Sequence, residues 1–190
     1  MTCVVGLVKD NIIYMGADSC SSNGDTYETT TEEKVFVRGE FIYGVSGSWR
    51  VNQLLKYKFT PPNNNNIDNV KGYLVVDYVD ALKECFKNLT KHDEDEWDIL
   101  VGYCGRLFVI SSDFHVSERS EFKFNCIGSG SEMADGAMYV ANTLPPEQRI
   151  SSALRAAAAF SIGVVGPFII KKLNAKIGQN MGVDNPDTTS

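Results

Sequence analysis

The sequence predicts an α+β fold in which two antiparallel sheets lie face to face, each covered by a helix pair: a four-layer αββα sandwich. Three observations predict it. Val- and Ile-rich runs with hairpin turns open the chain, return in its middle and close it. Two stretches of helical period follow the first strands, and two more follow the middle strands. Strands joined in succession by short turns pair antiparallel. Such sheets can pack both faces against other layers.

The elements are justified in order. Residues 2–8 and 12–18 read as a hairpin turning at Lys9-Asp10-Asn11. Lys34–Arg38 and Phe41–Ser46 read as a second pair turning at Gly39-Glu40. The period then changes: Val51, Leu54, Leu55 and Lys58 suit a helix starting near Ser48. Residues 60–69, with Pro61-Pro62 and four consecutive asparagines, form a polar loop. Val75, Val79, Leu82, Cys85, Phe86 and Leu89 continue at helical spacing as a second helix. The acidic run from Lys91 to Glu96 is a solvated loop. Asp98–Tyr103 and Leu107–Ser111 form a further hairpin with Cys104-Gly105-Arg106 as its turn, and another strand leads into Phe124–Ile127.

A third helix starts at Ser129 or Ser131 and carries Met133, Ala137, Met138 and Ala141. Ser129-x-x-Glu132 reads as its capping box. The fourth follows Pro145-Pro146, with proline in the first turn, and carries Ile150, Ala153, Leu154, Ala157 and Ala158. Its alanine-rich face allows another element to approach closely. Phe168-Ile169-Ile170 is the final strand. One domain is expected over 1–177, with a frayed polar tail over 178–190.

Composition bounds the function. The 190 residues carry 18 Lys+Arg against 24 Asp+Glu, a formal charge of −6, and 43% are hydrophobic. A chain of this size buries roughly 70% of its unfolded surface and needs no staples. The acidic balance argues against nucleic acid as a partner, since such binding requires a basic footprint. No stretch approaches the ~20 apolar residues that span a membrane, and the N-terminus lacks the basic region of a signal peptide. The five cysteines are odd in number and lack a CxxC spacing, which suits reduced thiols in a cytoplasmic protein. No cofactor or metal set is expected.

Common catalytic patterns are absent. His92 and His115 have no partner pattern for a Ser-His-Asp or Cys-His arrangement. Gly128-Ser129-Gly130-Ser131 follows a strand and opens a helix, but Met133 stands where a dinucleotide loop has its third glycine. The start of the chain remains. A small second residue permits removal of Met1, which would expose Thr2 as the N-terminus. Its hydroxyl and α-amine then lie on one residue, and an α-amine with a pKa of about 7.7–8 can serve as the hydroxyl's general base. The alternative is that Thr2 is only the first residue of a strand.

Five segments bear on that choice: Thr2-Cys3-Val4-Val5-Gly6, Gly16-Ala17-Asp18-Ser19, Glu33-Lys34-Val35, Gly44-Val45-Ser46-Gly47-Ser48 and Ile127-Gly128-Ser129-Gly130-Ser131. Together they resemble the proteasome β-subunit family of N-terminal nucleophile hydrolases. The pattern is most similar to the bacterial proteasome-related threonine peptidases that serve a ring ATPase. The likeness runs over about residues 2–172. Each motif is weak alone; their joint order and spacing are specific.

The resemblance implies the N-terminal nucleophile hydrolase fold and a threonine endopeptidase acting on peptides or unfolded proteins inside a homo-oligomeric ring. An ATPase unfoldase partner follows by analogy. Thr2 matches the family's nucleophile, and Asp18 and Lys34 its buried acid and base. Gly47 matches the backbone oxyanion donor, and Ser129 a serine that orients the N-terminal amine. A plain ion pair for Asp18–Lys34, a turn requirement for Gly47 and a helix cap for Ser129 stand as alternatives. The chain departs from the eukaryotic branch in one stretch: Ser161 falls where that branch has an acid, and no serine follows at the expected spacing. Ser21, Glu32 and Phe36 lie near positions that shape the family's specificity pocket; Glu32 would favour a basic substrate side chain there, with a plain surface role as the equal alternative. Two other functions fit the same fold: a catalytically inactive ring or scaffold subunit, and a small-molecule amidohydrolase. Cys3 as nucleophile after further trimming fits less well, because Asp18 and Lys34 are spaced to match Thr2.

Overall fold

The computed structural model describes residues 1–22, 27–90, 96–119 and 121–175. The acidic run at 91–95, with His92, and the polar tail from Gly178 lie outside the described residues.

Strands β1 (Val4–Lys9) and β2 (Ile12–Ala17) form the opening hairpin. Asp10 and Asn11 both take positive φ, 51° and 58°, as a two-residue primed turn requires. A short hairpin not expected from the sequence follows, β3 (Cys20–Ser22) with β4 (Tyr27–Thr29). Strands this short carry too little periodicity to be read. β5 (Val35–Arg38) and β6 (Phe41–Ser46) make the next hairpin, and β7 (Asp98–Tyr103) and β8 (Arg106–Ser111) the one after. The latter turn is Cys104-Gly105 alone; Arg106 already belongs to β8. β9 (Val116–Ser117), β10 (Phe124–Ile127) and β11 (Ile169–Asn174) complete the strands.

All pairings are antiparallel. One sheet runs β10-β1-β2-β11, and a second runs β5-β6-β7-β8-β9. Register follows the two-residue period of the side chains. In β1, Val5 and Leu7, with the preceding Cys3, join one apolar cluster, while Val4 joins another. In β6, Phe41, Tyr43 and Val45 face one cluster and Ile42 the opposite one.

Helix α1 (Trp49–Tyr57) begins where expected, with Ser48 Oγ accepting from Val51 N–H as its cap. The second helical stretch starts earlier than its spacing predicts. It comprises α2 (Val70–Tyr73), a π-helical turn over Leu74–Tyr78 and α3 (Val79–Phe86). The π turn inserts extra residues into one turn and shifts the apolar phase. Leu74 is therefore buried, while Val75, expected inside, is exposed. Leu89 lies beyond the helix end.

α4 (Ser131–Val140) and α5 (Pro146–Phe160) pack together over the first sheet. Ala134, Met138, Ile150, Ala153, Leu154 and Ala157 form their buried faces, whereas Met133 is exposed. The expected capping box is absent: Gly130 is the N-cap of α4 and no side chain caps it. Ser129 is engaged elsewhere.

Three apolar clusters organise the interior. One lies between α1–α3 and the five-stranded sheet, rich in Phe and Tyr. Another lies between α4–α5 and the four-stranded sheet. The third joins Val4, Ile13, Met15 and Ala17 of the first sheet to Val35, Ile42 and Leu100 of the second. No helix among the described residues is long and apolar enough to cross a membrane.

Candidate active site

The strand ends of both sheets converge on Thr2. Asp18 directly follows β2, Lys34 directly precedes β5, and Gly47 lies between β6 and the cap of α1. Ser129 lies between β10 and α4. Antiparallel pairing brings these ends together: Val4 pairs with Ala17 on one side and with Ile127 on the other.

Asp18 is a buried hub. Its Oδ1 accepts from Cys3 N–H at 2.9 Å, and its Oδ2 accepts from Cys20 N–H and from Lys34 Nζ, each at 2.9 Å. The side chains of Lys34 and Asp18 are 4% and 0% exposed, so the ion pair is shielded from solvent. A buried charge needs such a partner to remain ionised without a large penalty.

Lys34 Nζ also donates to the Met1 carbonyl at 3.3 Å. The Thr2 hydroxyl donates to that same oxygen at 2.7 Å. Hydroxyl and ammonium thus converge on a common point. Thr2 N–H donates to Ser129 Oγ at 3.2 Å, and Ser129 Oγ–H donates back to the Thr2 carbonyl at 3.3 Å. Gly130 N–H donates to that carbonyl at 3.2 Å. The close approach depends on Gly128, whose φ is +88° and whose notional Cβ would lie 2.4 Å from the Thr2 oxygen.

Gly47 also takes a left-handed conformation, φ +89°, and a Cβ there would stand 2.2 Å from the Glu96 carbonyl. It is exposed, and with Thr2 it lines both a cleft of about 790 Å³ and a smaller recess of about 60 Å³. The large cleft is also bordered by Asp98, Arg119 and Ser129.

Other expected residues lie apart. Ser161 ends α5, its N–H donating to Ala157 O and its carbonyl accepting from Val164 N–H. The following segment is tied to the site by Ser19, whose N–H donates to Val165 O and whose hydroxyl donates to Pro167 O at 2.7 Å. Glu32 pairs with Lys56 at 2.9 Å. Phe36 belongs to the aromatic cluster under α1–α3. Neither Glu32, Phe36 nor Ser21 lines the recess beside Thr2. Cys3 is fully buried, and burial, reinforced by Asp18, pushes its thiol up to about 12. Such a thiol is a poor nucleophile at neutral pH.

Sequence reasoning missed Trp49 and Asn52, which line the recess with Cys20, Lys34 and Val45. Asn52 carried a readable signal: it is a polar residue on the stripe that buries Val51, Leu54 and Leu55.

A scan against protein-family models and a search of curated proteins gave no match. Solved structures do match. BPH of Thiobacillus denitrificans in complex with epoxomicin is 25% identical with a TM-score of 0.76, covering 93% of this chain and 100% of that one. Eukaryotic HslV from Trypanosoma brucei is 16% identical with a TM-score of 0.68, over 91% and 99% of the two chains. Anbu, the ancestral beta-subunit from Yersinia bercovieri, is 18% identical with a TM-score of 0.62, over 90% and 81%. The resemblance read from the motifs and the likeness of the fold thus agree, and the chain's structural neighbours are HslV-like proteasome-type subunits, consistent with the proteasome β-subunit family.

Proposed function

We propose that this chain is a threonine-type endopeptidase subunit of a self-compartmentalised ring protease, with Thr2 as nucleophile once Met1 is removed. The observation that carries this reading is the shielded Lys34–Asp18 pair, whose ammonium shares one acceptor oxygen with the Thr2 hydroxyl.

While Met1 is attached, Thr2 N is an amide and cannot take a proton. Hydrolysis of the Met1–Thr2 bond frees the α-amine beside Ser129 Oγ. The amine then accepts the hydroxyl proton as Oγ1 attacks a peptide carbonyl. Lys34 favours the developing alkoxide by its charge, and Asp18 holds Lys34 in place. The Gly47 N–H, at the entry to α1, is the donor for the oxyanion. The amine returns its proton to the leaving nitrogen, and water later hydrolyses the ester on Thr2.

The three apolar clusters support the four-layer αββα arrangement over a single domain, residues 1–177. HslV-like neighbours support a homo-oligomeric ring, an ATPase unfoldase as partner and peptide or unfolded protein as substrate. The cytoplasm is the proposed location.

A catalytically inactive ring subunit is the second reading. It is favoured by Ser161, whose backbone closes α5 and which does not supply the partner recorded for Thr2 N–H. The experiment takes protein whose intact mass lacks Met1 and offers it casein and short peptides. Hydrolysis that Thr2→Ser retains and Thr2→Ala abolishes is expected. A folded, Met1-free ring that cleaves neither favours the inactive reading.

A further inference from the structure

The Met1–Thr2 bond is closed off by the fold itself. Met1 is 46% exposed, but Thr2 is only 8% exposed, and Cys3, Val4 and Val5 are fully buried. Every backbone polar group from the Met1 carbonyl to the Cys3 carbonyl has a partner. The Met1 oxygen accepts from Thr2 Oγ1 at 2.7 Å and from Lys34 Nζ at 3.3 Å. Thr2 N–H and C=O are held by Ser129 and Gly130. Cys3 N–H donates to Asp18 Oδ1, and Asp18 N–H donates back to the Cys3 carbonyl at 3.3 Å. Val4 is then paired between Ala17 and Ile127 inside the sheet. The Met1 side chain is seated too: a Cβ on Gly163 would lie 2.7 Å from Met1 Cε and 3.1 Å from Met1 Cβ. A chain that keeps Met1 therefore folds around it.

Two routes exist for cutting this bond, and the geometry separates them. A peptidase that holds its substrate extended does so through main-chain hydrogen bonds, and its nucleophile has to reach the Met1 carbonyl carbon. In the folded chain those main-chain groups are occupied, so cleavage waits for the segment to open. Core strands open with free energies that approach the global stability. The other route is attack by Thr2 Oγ1 on the carbonyl before it, which needs a base for the hydroxyl proton. The hydroxyl instead donates to the oxygen of that carbonyl, Thr2 N is an amide, and Lys34 Nζ is a donor to the same oxygen and to Asp18. None of these groups takes the hydroxyl proton.

We infer that Met1 is removed by a methionine-specific aminopeptidase acting on the unfolded, newly made chain, before Thr2 is built into the site, and that a chain which folds first is locked with Met1 in place. Water adds across the Met1–Thr2 amide, releasing free methionine and leaving the α-amine on Thr2. This order of events does not depend on Thr2 being a nucleophile. Its consequence, that a locked protomer is inactive, rests on the peptidase reading above.

The test makes the 190-residue chain by cell-free translation without aminopeptidase, so that Met1 stays on. Purified methionine aminopeptidase is added either during synthesis or after circular dichroism shows the chain folded, and intact mass reads Met1. A synthetic peptide of residues 1–8 gives the rate on an open segment. Met1 is expected to leave during synthesis, while the folded protein loses it about 10³-fold more slowly than the peptide, or slower still, because cleavage tracks the population of the open form. Thr2→Ala, which has a small second residue and no hydroxyl, is expected to behave in the same way. Removal from the folded protein at the peptide's rate overturns the inference. So does retention of Met1 when the enzyme is present throughout synthesis. Loss of Met1 from the folded wild type without enzyme, absent in Thr2→Ala, overturns it in favour of self-cleavage. Labelling with a β-lactone then tests the other reading separately: Met1-free protein that takes no label contradicts the peptidase and leaves the order of removal standing.

Discussion

Removing Asp18 and removing Lys34 break the same ion pair, yet the two substitutions leave different debts. Asp18 accepts from Cys3 N–H, Cys20 N–H and Lys34 Nζ. Asp18→Ala therefore orphans two backbone donors and a buried ammonium whose one remaining recorded acceptor is the Met1 carbonyl at 3.3 Å. An uncompensated buried charge costs about 3–5 kcal/mol, and each unpaired N–H adds roughly 1–3 kcal/mol. Allowing for non-additivity among contacting groups, the loss is at least about 5 kcal/mol, comparable to the whole stability of many domains. In Lys34→Met the carboxylate keeps both backbone donors, so the cost is nearer about 3 kcal/mol. The double variant removes the orphaned charge, and it should be more stable than Asp18→Ala alone. Urea unfolding followed by circular dichroism at pH 7 reads all three. Protomer concentration and the state of Met1 are held fixed, since oligomerisation shifts apparent stability. Lys34→Met costing as much as Asp18→Ala, or a double variant less stable than Asp18→Ala, refutes the hub account.

Gly47→Ala forces a side chain into φ +89° and toward the Glu96 carbonyl; peptidase kcat should fall by about 10²–10³ through displacement of the oxyanion donor, and a wild-type rate would remove Gly47 from that role. Ser129→Ala removes the partner of Thr2 N and should cost about tenfold or more in kcat with a shifted pH profile; an unchanged profile would leave Ser129 a local tether. The Cys3 thiol rises from 9.0 to about 12 on folding, chiefly by burial. Its neutral form thus contributes stability that is complete below pH 9 and is lost as pH climbs toward 12. Cys3 should accordingly resist alkylation in the native protein at pH 8, and urea stability should decline above pH 9; rapid native-state labelling of Cys3 would contradict the burial argument.

The hairpins were legible because Asp10-Asn11 and Cys104-Gly105 are turn sequences between β-branched runs, and α1 because Ser48 caps an apolar stripe. The phase of the second helical stretch is not legible in the sequence, since a π turn cannot be seen in a period count that assumes 3.6 residues per turn. Ser129 shows how a local motif can mislead. Ser-x-x-Glu spells a capping box, but Thr2, 127 positions away, claims the hydroxyl. Only the joint resemblance points to the convergence of Thr2, Asp18, Lys34, Gly47 and Ser129. Each residue is ordinary by itself, and strand pairing supplies their proximity. The recess is a different case: Asn52 interrupts an apolar stripe, but its place beside Thr2 is visible only in the fold.

The central claim is that Thr2, once N-terminal, is the nucleophile. A β-lactone peptide analogue, which acylates a hydroxyl by ring opening, tests it directly. The adduct is located by tandem mass spectrometry on protein whose intact mass lacks Met1. One adduct per protomer, on Thr2 and absent in Thr2→Ala, is the predicted result. A folded, assembled, Met1-free protein that takes no adduct, or takes it on Cys3 or another residue, contradicts the account.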